Sequence, residues 1–597
     1  MNFNRNNLDQ ATSPYLQQHR DNPIHWQEWS NDVLAYAQKE NKILFVSVGY
    51  TACHWCHVMA SEAFSNQEVA HFLNHYFVSI KVDREQRPDI DNYMMAFIQE
   101  TQGQGGWPLN VFLTADVKPF LAVTYVPIKP RYSSSGFLNL LHHIKDNYDQ
   151  HKGEIKKYLP PIDKEEEPLE EEEIMGVIKD NFFENGFSSG PQFPPHNTLL
   201  FLLSYYEKNK HREIKGIIET ILEVMARRGL HDHLQGGFYR YCIDRSWTIP
   251  HFEKMLYDQA MLLWVYSIAY KILKKTEYKT IVKKIVQCLE ETYADSLYYA
   301  GHDADTDHQE GETYLWDKKE VQENLTSTEY EQFSELYHQE DNGQGKIHLI
   351  KKSNNNLPEI EQKLLGIRKR RKQPFTDQKC ITSWNALSGI GFINAYRSLN
   401  EEILKAKAIV LFKQILEKQY QQGVLCHSSL NGKEQPGEYL EDYAALLLFA
   451  TYIYEETGEY KELIERLFHK LNYFYEQQWI ENRNTDFMEI PAQTFDHPTP
   501  SSASLAEMAK LRASIILEKE YPSADYKQPL QHDFFNLMVF VKKGNWHLIH
   551  APHKIEWKHL PVNCMQIRDL KIKDCYQQKC REFNDVSELL AALREKE

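Results

Sequence analysis

The stretch "KILFVSVGYTACHWCHVM", residues 42–59, joins a short apolar run to a cluster of two cysteines, two histidines and a tryptophan. The run at 42–50 is rich in β-branched residues, which predicts a buried strand. A helical pattern follows, so Cys53 and Cys56 are expected where a helix begins directly after that strand. This junction of strand, dithiol and helix predicts an α/β domain.

The flanking sequence continues the α/β alternation. Strands are predicted in "FVSIKVD" (77–83), "GQGGWPLNVFLT" (103–114) and "PFLAVTYVP" (119–127), and helices over 56–76 and 89–102. The order strand, helix, strand, helix, strand, strand requires a crossover connection between the first strands. We therefore expect one α/β domain over residues 1–160.

The composition changes at "PPIDKEEEPLEEEE", residues 160–173, which predicts an acidic linker over 161–175. Beyond it the chain alternates between two kinds of long helix. The first of each pair is apolar on nearly all sides and the second is amphipathic, with many lysines and glutamates. Helices that are apolar all round are interior. An inner and an outer ring of helices, an α/α toroid, is therefore expected over 176–597, with an α-solenoid as the alternative.

Charge and hydropathy exclude several classes of function. The chain has 597 residues and a formal net charge of −16, which argues against a nucleic-acid partner. The basic run "RKRRK" at 368–372 is interpreted as a solvated helix end. No apolar run reaches the ~18 residues of a membrane span, and the N-terminus has no apolar signal-peptide region. We expect a cytoplasmic protein without a membrane partner.

Three chemistries fit the cysteine cluster. Cys53, Cys56 and His57 satisfy the C-x-x-C-H pattern of covalent haem attachment, but that attachment takes place outside the cytoplasm. Cys53 and Cys56 with His54 or His57 could supply three zinc ligands, but no second pair nearby completes a tetrahedral site. The redox interpretation is favoured, so neither a metal ion nor another cofactor is expected.

A helix N-terminus would stabilise the thiolate of Cys53 and lower its pKa, because unpaired N–H groups and the helix dipole point at the sulfur. Cys56, one turn further, would be the resolving thiol. Downstream, "GGWP" precedes a predicted strand, a position where a cis bond to Pro108 would be used. We expect that bond to be cis and to lie against Cys53. The redox partner would be a protein or a small thiol.

A second group of polar side chains lies near the starts of the predicted inner helices. On a helix expected from about Pro250, His251, Lys254 and Asp258 would share one face. The full candidate set is Asp232, His233, His251, Glu253, Lys254, Tyr257, Asp258, Asp303, Asp305, Trp384, Asn385, Glu441, Asp442 and Tyr443.

In a toroid the starts of the inner helices meet at one rim. We therefore expect His251, Glu253, Asp258, Asp303, Trp384 and Asp442 to converge on one pocket. Carboxylates, a histidine and aromatic rings around a concave pocket are typical of sugar-binding sites, where paired carboxyls do acid–base chemistry. The alternative is structural, with a Lys254–Asp258 ion pair joining helices and Asp442 capping one.

Several motifs together resemble one known family. "SPYLQQHRDNPIHWQEW" (13–29), "GYTACHWCHVM" (49–59), "VDREQRPDID" (82–91), "GQGGWPLNVFLT", "ITSWNAL" (381–387) and "YLEDYA" (439–444) resemble the family typified by spermatogenesis-associated thioredoxin-like proteins. The resemblance implies a thioredoxin-like domain followed by a six-hairpin (α/α)6 barrel, similar to those of glycosidases and N-acylglucosamine 2-epimerases. It also implies Cys53 and Cys56 as the redox pair and Pro108 as the cis-proline. The chain beyond about Ser523 is shorter than the family pattern.

Three functions are compatible with these features. The main hypothesis is thiol–disulfide exchange with Cys53 as the nucleophile. The second is a sugar isomerase, epimerase or hydrolase in which the thioredoxin-like domain is regulatory, and the third is a non-catalytic binding protein. Near the C-terminus, Cys575 and Cys580, with Cys564 close by, are expected to be reduced, unpaired thiols, with a second redox pair as the alternative.

Overall fold

Three units follow one another along the chain: a thioredoxin-like α/β domain, a helical barrel and a small C-terminal sheet. The computed structural model describes residues 2–130, 136–160, 171–339, 345–435, 437–519, 535, 546–576 and 579–594. Most of the expected acidic linker, and residues 520–534 and 536–545 after the last described inner helix, therefore lie outside the described residues. The expected shortening of the barrel after about Ser523 stays a prediction. Glu171, near the end of that linker, already begins a helix.

The α/β domain is built on a four-stranded mixed sheet. Its strands are β1 (Ile43–Gly49), β2 (Phe77–Asp83), β3 (Leu109–Leu113) and β4 (Pro119–Val123), in the spatial order β2-β1-β3-β4. β1 runs parallel to β2 and antiparallel to β3. Every residue of β1 is buried, because helices pack on both faces of the sheet, and this explains its continuous apolar run.

The helices of this domain are α1 (Pro14–Gln18), α2 (Asn31–Glu40), α3 (His54–Ser61), α4 (Gln67–Tyr76), α5 (Pro88–Gln102) and α6 (Phe137–His151). The single helix expected over 56–76 is wrong, since the structure has two there. The reason is a local cap: the Asn66 side chain accepts hydrogen bonds from the backbone N–H groups of Glu68 and Val69 and starts α4 anew.

The second unit is an α/α toroid. Its inner helices are α8 (His196–Asn209), α10 (Leu256–Leu273), α15 (Thr382–Leu399), α17 (Leu440–Thr457) and α19 (Ser502–Leu517), and its outer helices are α7 (Glu171–Asn181), α9 (Arg212–Arg227), α11 (Thr276–Cys288), α16 (Glu402–Lys418) and α18 (Lys461–Leu471). The first turns of all five described inner helices line one cavity, which a solenoid would not produce. None of the described helices combines the length and the apolar character needed to cross a bilayer.

A long insertion between α11 and α15 carries α12 (Lys318–Asn324), α13 (Ser327–Leu336), α14 (Pro358–Arg368) and several two-residue strands. The helix expected from about Pro250 starts later, at Leu256. Pro250–His251 pairs with Tyr241–Cys242 instead, and Lys254–Met255 pairs with Gly301–His302. His251, Lys254 and Asp258 therefore do not share a helical face.

The C-terminal unit repeats the strand order of the first domain. Its strands β5 (His547–Ala551), β6 (Cys564–Arg568), β7 (Ile572–Tyr576) and β8 (Lys579–Phe583) lie in the order β6-β5-β7-β8, followed by α20 (Val586–Arg594). β5 is parallel to β6 and antiparallel to β7. The unit contacts the C-terminal ends of inner helices, where Gln566 N–H donates to Glu455 of α17 at 3.1 Å. Two sheets of the same topology thus cover opposite ends of the barrel.

Cys575 and Cys580 face each other across β7 and β8 and form a disulfide. The expectation of unpaired thiols is wrong for these two residues, because the hairpin register places them directly opposite one another. Cys564 is free and buried.

A buried ionic cluster joins the α/β domain to the barrel. The ammonium group of Lys379, 0% exposed, contacts the carboxylates of Asp83, Glu85 (3.0 Å) and Asp377 (3.1 Å). Asp83 and Glu85 lie at and just after the end of β2 of the α/β domain, whereas Asp377 and Lys379 belong to the barrel. One cation therefore neutralises carboxylates from both units.

Candidate functional site

A cavity of about 530 Å³ lies between the mouth of the barrel and the α/β domain. The α/β domain contributes the first half of α5 and the loop before β3. Its wall includes Arg84, Glu85, Asp91, Asn92, Gln99 and Trp107, and the barrel wall includes His196, Arg240, Tyr257, Asp258, Trp384, His427, Glu441, Glu481 and His497. The interdomain cavity, as we call it, is thus shared by both domains.

Asp258, in the first turn of α10, faces this cavity and is only 1% exposed. Its Oδ2 has no hydrogen-bond partner among the described residues, and neither has Nε2 of His196. That Nε2 lies 3.4 Å from Asp258 Oδ1. Burial raises the pKa of Asp258 well above its usual value, and burial lowers the pKa of His196 to about 3. Burial therefore favours the protonated form of the Asp258 carboxyl and the neutral form of the His196 imidazole.

Glu441 and Glu481, two further carboxyl groups of the cavity wall, have pKa values close to neutral pH. Burial, then repulsion by Asp442, raises the pKa of Glu441 to about 8. Burial raises the pKa of Glu481 to about 7. Such values are suited to proton donation and acceptance at physiological pH.

Aromatic rings from both domains complete the walls. Tyr257 and Trp384 pack edge to face at 4.8 Å between ring centroids, and Tyr257 Oη accepts a hydrogen bond from Arg240 Nε at 3.1 Å. On the opposite wall the indole N–H of Trp107 donates to Asp91 at 2.7 Å. Rings held in this way can pack against the apolar face of a sugar ring.

Beneath the cavity, His427 is held between the two domains. Its Nδ1 lies 2.7 Å from Asp442 Oδ2, and its Nε2 donates to the backbone oxygen of Glu85 at 3.0 Å. Burial opposes protonation of His427, but the charge of Asp442 outweighs it and raises the pKa of His427 to about 9. Ligand atoms of His427, Glu441 and Asp442 lie within 4.8 Å of one another, but the ion pair already uses Nδ1, so the arrangement fits an ion pair better than a metal site.

This ion pair predicts a pH dependence of stability. The pKa of His427 is about 9 in the folded protein and ~6.5 when unfolded. Its stabilisation is therefore complete below pH 6.5 and lost as the pH rises through 9, up to about 3 kcal/mol. Urea unfolding of wild type and of His427→Gln at pH 6, 7.5 and 9 checks this. The stability difference between the two proteins should shrink with pH, and a constant difference would contradict the assignment.

The dithiol lies at the edge of the same interface. Cys53 caps α3, where its sulfur accepts the Cys56 N–H at 3.2 Å, and the two cysteines form a disulfide. Cys53 is 3% and Cys56 1% exposed, whereas Trp55 between them is 45% exposed. The Trp107–Pro108 bond is cis, as expected. Leu109 pairs with Val48, so the register places Pro108 near the end of β1 that leads to the dithiol.

Four residues of the segment 50–57 hydrogen-bond four different carboxylates of the barrel. The bonds join Tyr50 Oη to Glu253 (2.9 Å), Thr51 Oγ1 to Asp377, His54 Nδ1 to Asp305 (2.8 Å) and His57 Nε2 to Asp303 (3.0 Å). We call this set the carboxylate grip. It ties the segment that carries Cys53 and Cys56 to loops of the barrel.

The structure separates the sequence-predicted pocket residues into groups. Tyr257, Asp258, Trp384 and Glu441 line the interdomain cavity, and Asp442 lies beneath it. Glu253, Asp303 and Asp305 belong to the carboxylate grip, and His251 hydrogen-bonds Glu310 close to His54. The expected convergence of His251, Glu253 and Asp303 on the pocket is therefore wrong, because their loops reach the dithiol instead.

The remaining candidates have structural partners. Lys254 donates to Asp232 at 2.6 Å, and Arg368 binds the same carboxylate at 2.7 Å. The expected Lys254–Asp258 pair is therefore wrong. The basic run is a solvated helix end, as interpreted, at Lys369, Arg370 and Lys372, which are exposed, but not at Arg368, which is buried. Three others hold local structure: His233 contacts His231, Asn385 bonds the backbone of Tyr298, and Tyr443 Oη accepts the Leu425 N–H.

On the barrel wall, sequence reasoning missed His196, Arg240, His427, Glu481 and His497, and it proposed no pocket residue on the α/β wall. His196 begins α8, so the rule that selected the starts of inner helices could have found it. The other four lie in loops of the barrel, where no local periodicity indicates that they meet at the cavity.

The chain is similar to several known proteins. A family model described as Thioredox_DsbH, a protein of unknown function (DUF255), matches residues 5–165. Uncharacterized protein B0495.5 of Caenorhabditis elegans is 32% identical, covering 86% of this chain and 81% of its own length. Spermatogenesis-associated protein 20 of Rattus norvegicus is 33% identical, and the match covers 76% of this chain and 67% of the relative's length. A sugar epimerase from a ruminal bacterium aligns with 58% of this chain and 97% of its own at 13% identity and a TM-score of 0.31.

Proposed function

The chain belongs to the family of spermatogenesis-associated protein 20, and from this premise we propose that it is an acid–base enzyme acting on a carbohydrate in the interdomain cavity. The observation that carries this proposal is the pair formed by Asp258 and His196. Both are buried, both present a polar atom without a hydrogen-bond partner among the described residues, and His196 Nε2 lies 3.4 Å from Asp258 Oδ1. A protonated carboxyl beside a neutral imidazole can give one proton and take another.

The protonation pattern favours isomerisation or epimerisation over hydrolysis. Hydrolysis by a carboxyl pair requires one acid and one ionised carboxylate. Burial raises the pKa of Asp258, Glu441 and Glu481, so at neutral pH these three supply an ionised partner mainly through the deprotonated fraction of Glu481, whose pKa is about 7. Proton transfer at the carbon next to a sugar carbonyl needs only an acid and a neutral base.

The α/β domain supplies one wall of the site in this proposal. Asn92, Gln99 and Trp107 face the barrel wall across the cavity, so closure of the two domains would exclude water from the ligand. The volume of about 530 Å³ falls in the usual range for small-molecule sites and would accept a mono- or disaccharide.

Solvent deuterium exchange tests this proposal and does not require that the sugar be identified beforehand. The full-length protein is incubated in D2O with a panel of free aldoses, ketoses and N-acetylated amino sugars. Mass spectrometry then measures the deuterium incorporated into each sugar. At least one sugar should gain a deuteron at the carbon next to its carbonyl. A panel that stays unlabelled would overturn the isomerase class.

A second candidate function is thiol–disulfide exchange at Cys53 and Cys56, favoured by the position of Cys53 at the N-terminus of α3. Since Cys53 is only 3% exposed, a small thiol fits this site better than a folded protein partner. We place this chemistry in the cytoplasm, where low-molecular-weight thiols are abundant.

After reduction, Cys53 is expected to alkylate before Cys56, with a pKa below the free value of ~8.5. The helix N-terminus stabilises its thiolate, whereas Cys56 lies one turn inside. Mass spectrometry of iodoacetamide-labelled protein over a range of pH measures both rates, and Trp55 fluorescence should change with the redox state. Faster labelling of Cys56, or an unshifted Cys53, would exclude this role for Cys53.

A further inference from the structure

The carboxylate grip places two barrel carboxylates against histidines of the dithiol helix. His54 and His57 occupy the first and fourth positions of α3, and Cys53 caps the same helix. Asp305 and Asp303 hold them at 2.8 and 3.0 Å. These two carboxylates follow the two-residue strand Gly301–His302, so they belong to the other domain.

The charges around these histidines favour their protonated forms. Burial opposes protonation of His54, but its bond to Asp305 and the charges of Asp305, Glu310 and Glu253 outweigh this and raise its pKa. The pKa of His57 rises in the same way, since Asp303 and Asp305 outweigh burial and repulsion from His54. Two further histidines are neighbours: His19 interacts electrostatically with His57, and His251 lies 6.5 Å from His54 between ring centroids and is hydrogen-bonded to Glu310.

Cations next to a cysteine at a helix N-terminus stabilise its thiolate. In exchange with a small thiol, a thiolate RS⁻ attacks the Cys53 sulfur, the Cys53–Cys56 bond breaks, and Cys56 leaves as a thiolate that takes a proton. A second RS⁻ then attacks the R sulfur of the mixed disulfide, Cys53 leaves as a thiolate, and RSSR is released. The disulfide and two RSH thus give the dithiol and RSSR. Cys53 is the leaving group of the second step, so a lower thiol pKa speeds that step.

We propose that Asp303 and Asp305 of the barrel are positioning residues for the dithiol, which hold His57 and His54 as hydrogen-bonded cations beside Cys53. The barrel thereby sets the reactivity of the thioredoxin-like domain. This inference rests on the second candidate function and extends it across the domain interface.

The test compares the Cys53 alkylation profile of the reduced full-length protein with that of Asp303→Asn, Asp305→Asn and the double variant. These substitutions keep the size and hydrogen bonding of the side chains and remove their charge. We expect the double variant to alkylate about tenfold more slowly at pH 7, with a midpoint about one pH unit higher. Asp307→Asn, in the same loop but paired with exposed Lys372, is the matched control and should behave as wild type.

An unchanged profile in the double variant would overturn the inference. If the double variant does not fold, as judged by near-UV circular dichroism, the variants His54→Gln and His57→Gln decide the matter from the other side of the interface, since each should shift the profile in the same direction. If wild-type Cys53 itself titrates at the free value, the exchange proposal fails. If the Cys53 midpoint of the wild-type protein lies below the free value but every charge-removing variant has the same midpoint, the exchange proposal stands. In that case only the positioning role of Asp303 and Asp305 is wrong.

Discussion

Replacing Lys379 with methionine is expected to lower the free energy of unfolding by about 3–5 kcal/mol. Lys379 is fully buried and is shared by three carboxylates from two domains. Methionine fills a similar volume without charge, so Asp83, Glu85 and Asp377 would remain buried without a cation. Urea denaturation measures the loss, and limited proteolysis should show cleavage between the α/β domain and the barrel at lower urea than in wild type.

Lys372→Met is the matched control for this variant. Lys372 pairs with Asp307 on the surface, where both side chains are well exposed, and surface pairs contribute little to stability. The Lys372→Met protein should therefore unfold at the same urea concentration as wild type. Equal stability of Lys379→Met and Lys372→Met would contradict the view that the cluster around Lys379 holds the domains together.

The second large effect is expected for Asp258→Asn, which should reduce deuterium incorporation into the responsive sugar by about 100-fold or more. Asparagine has the shape of the protonated carboxyl but cannot give up its proton as an acid. Because burial already favours the neutral form of Asp258, the change should leave the fold intact. The redox titration of Cys53 should also be unaffected, since Asp258 is not part of the carboxylate grip.

Asp574→Asn provides the comparison for a buried aspartate outside the cavity. Asp574 lies in β7 and contacts His547 at 2.9 Å, at the opposite end of the barrel. The Asp574→Asn protein should incorporate deuterium into the sugar at the wild-type rate. Loss of folding in Asp258→Asn, or full labelling by it, would instead assign Asp258 a structural role.

Local patterns in the sequence predict most of the fold. The apolar run of β1 and the largely apolar helices α10, α15 and α17 follow from burial on nearly every side, which the sequence records residue by residue. The break between α3 and α4 was missed because a single capping residue, Asn66, decides it. The start of α10 was misplaced because polar residues at helical spacing also occur in the short paired strands before it.

The candidate site was predicted only in part, because its other half depends on contacts distant in sequence. Asp258, Trp384 and Glu441 follow from one rule, that inner helices start at the same rim. Arg368 reaches Asp232 across 136 positions, which no local pattern reveals. Likewise, the attraction of Asp303 and Asp305 to the dithiol arises only when the α/β domain docks on the barrel mouth.

We propose that both domains form one site, and the rate of deuterium incorporation by Asn92→Trp measures whether the α/β domain contributes to it. Asn92 is on α5 of the α/β domain and lines the interdomain cavity, so an indole there should fill the space for the ligand. Gln150→Trp adds the same ring to an exposed position of α6 in the same domain. We predict that Asn92→Trp loses deuterium incorporation while Gln150→Trp keeps it. Wild-type deuterium incorporation by Asn92→Trp would show that the barrel acts without the α/β domain and would contradict a site shared by both domains.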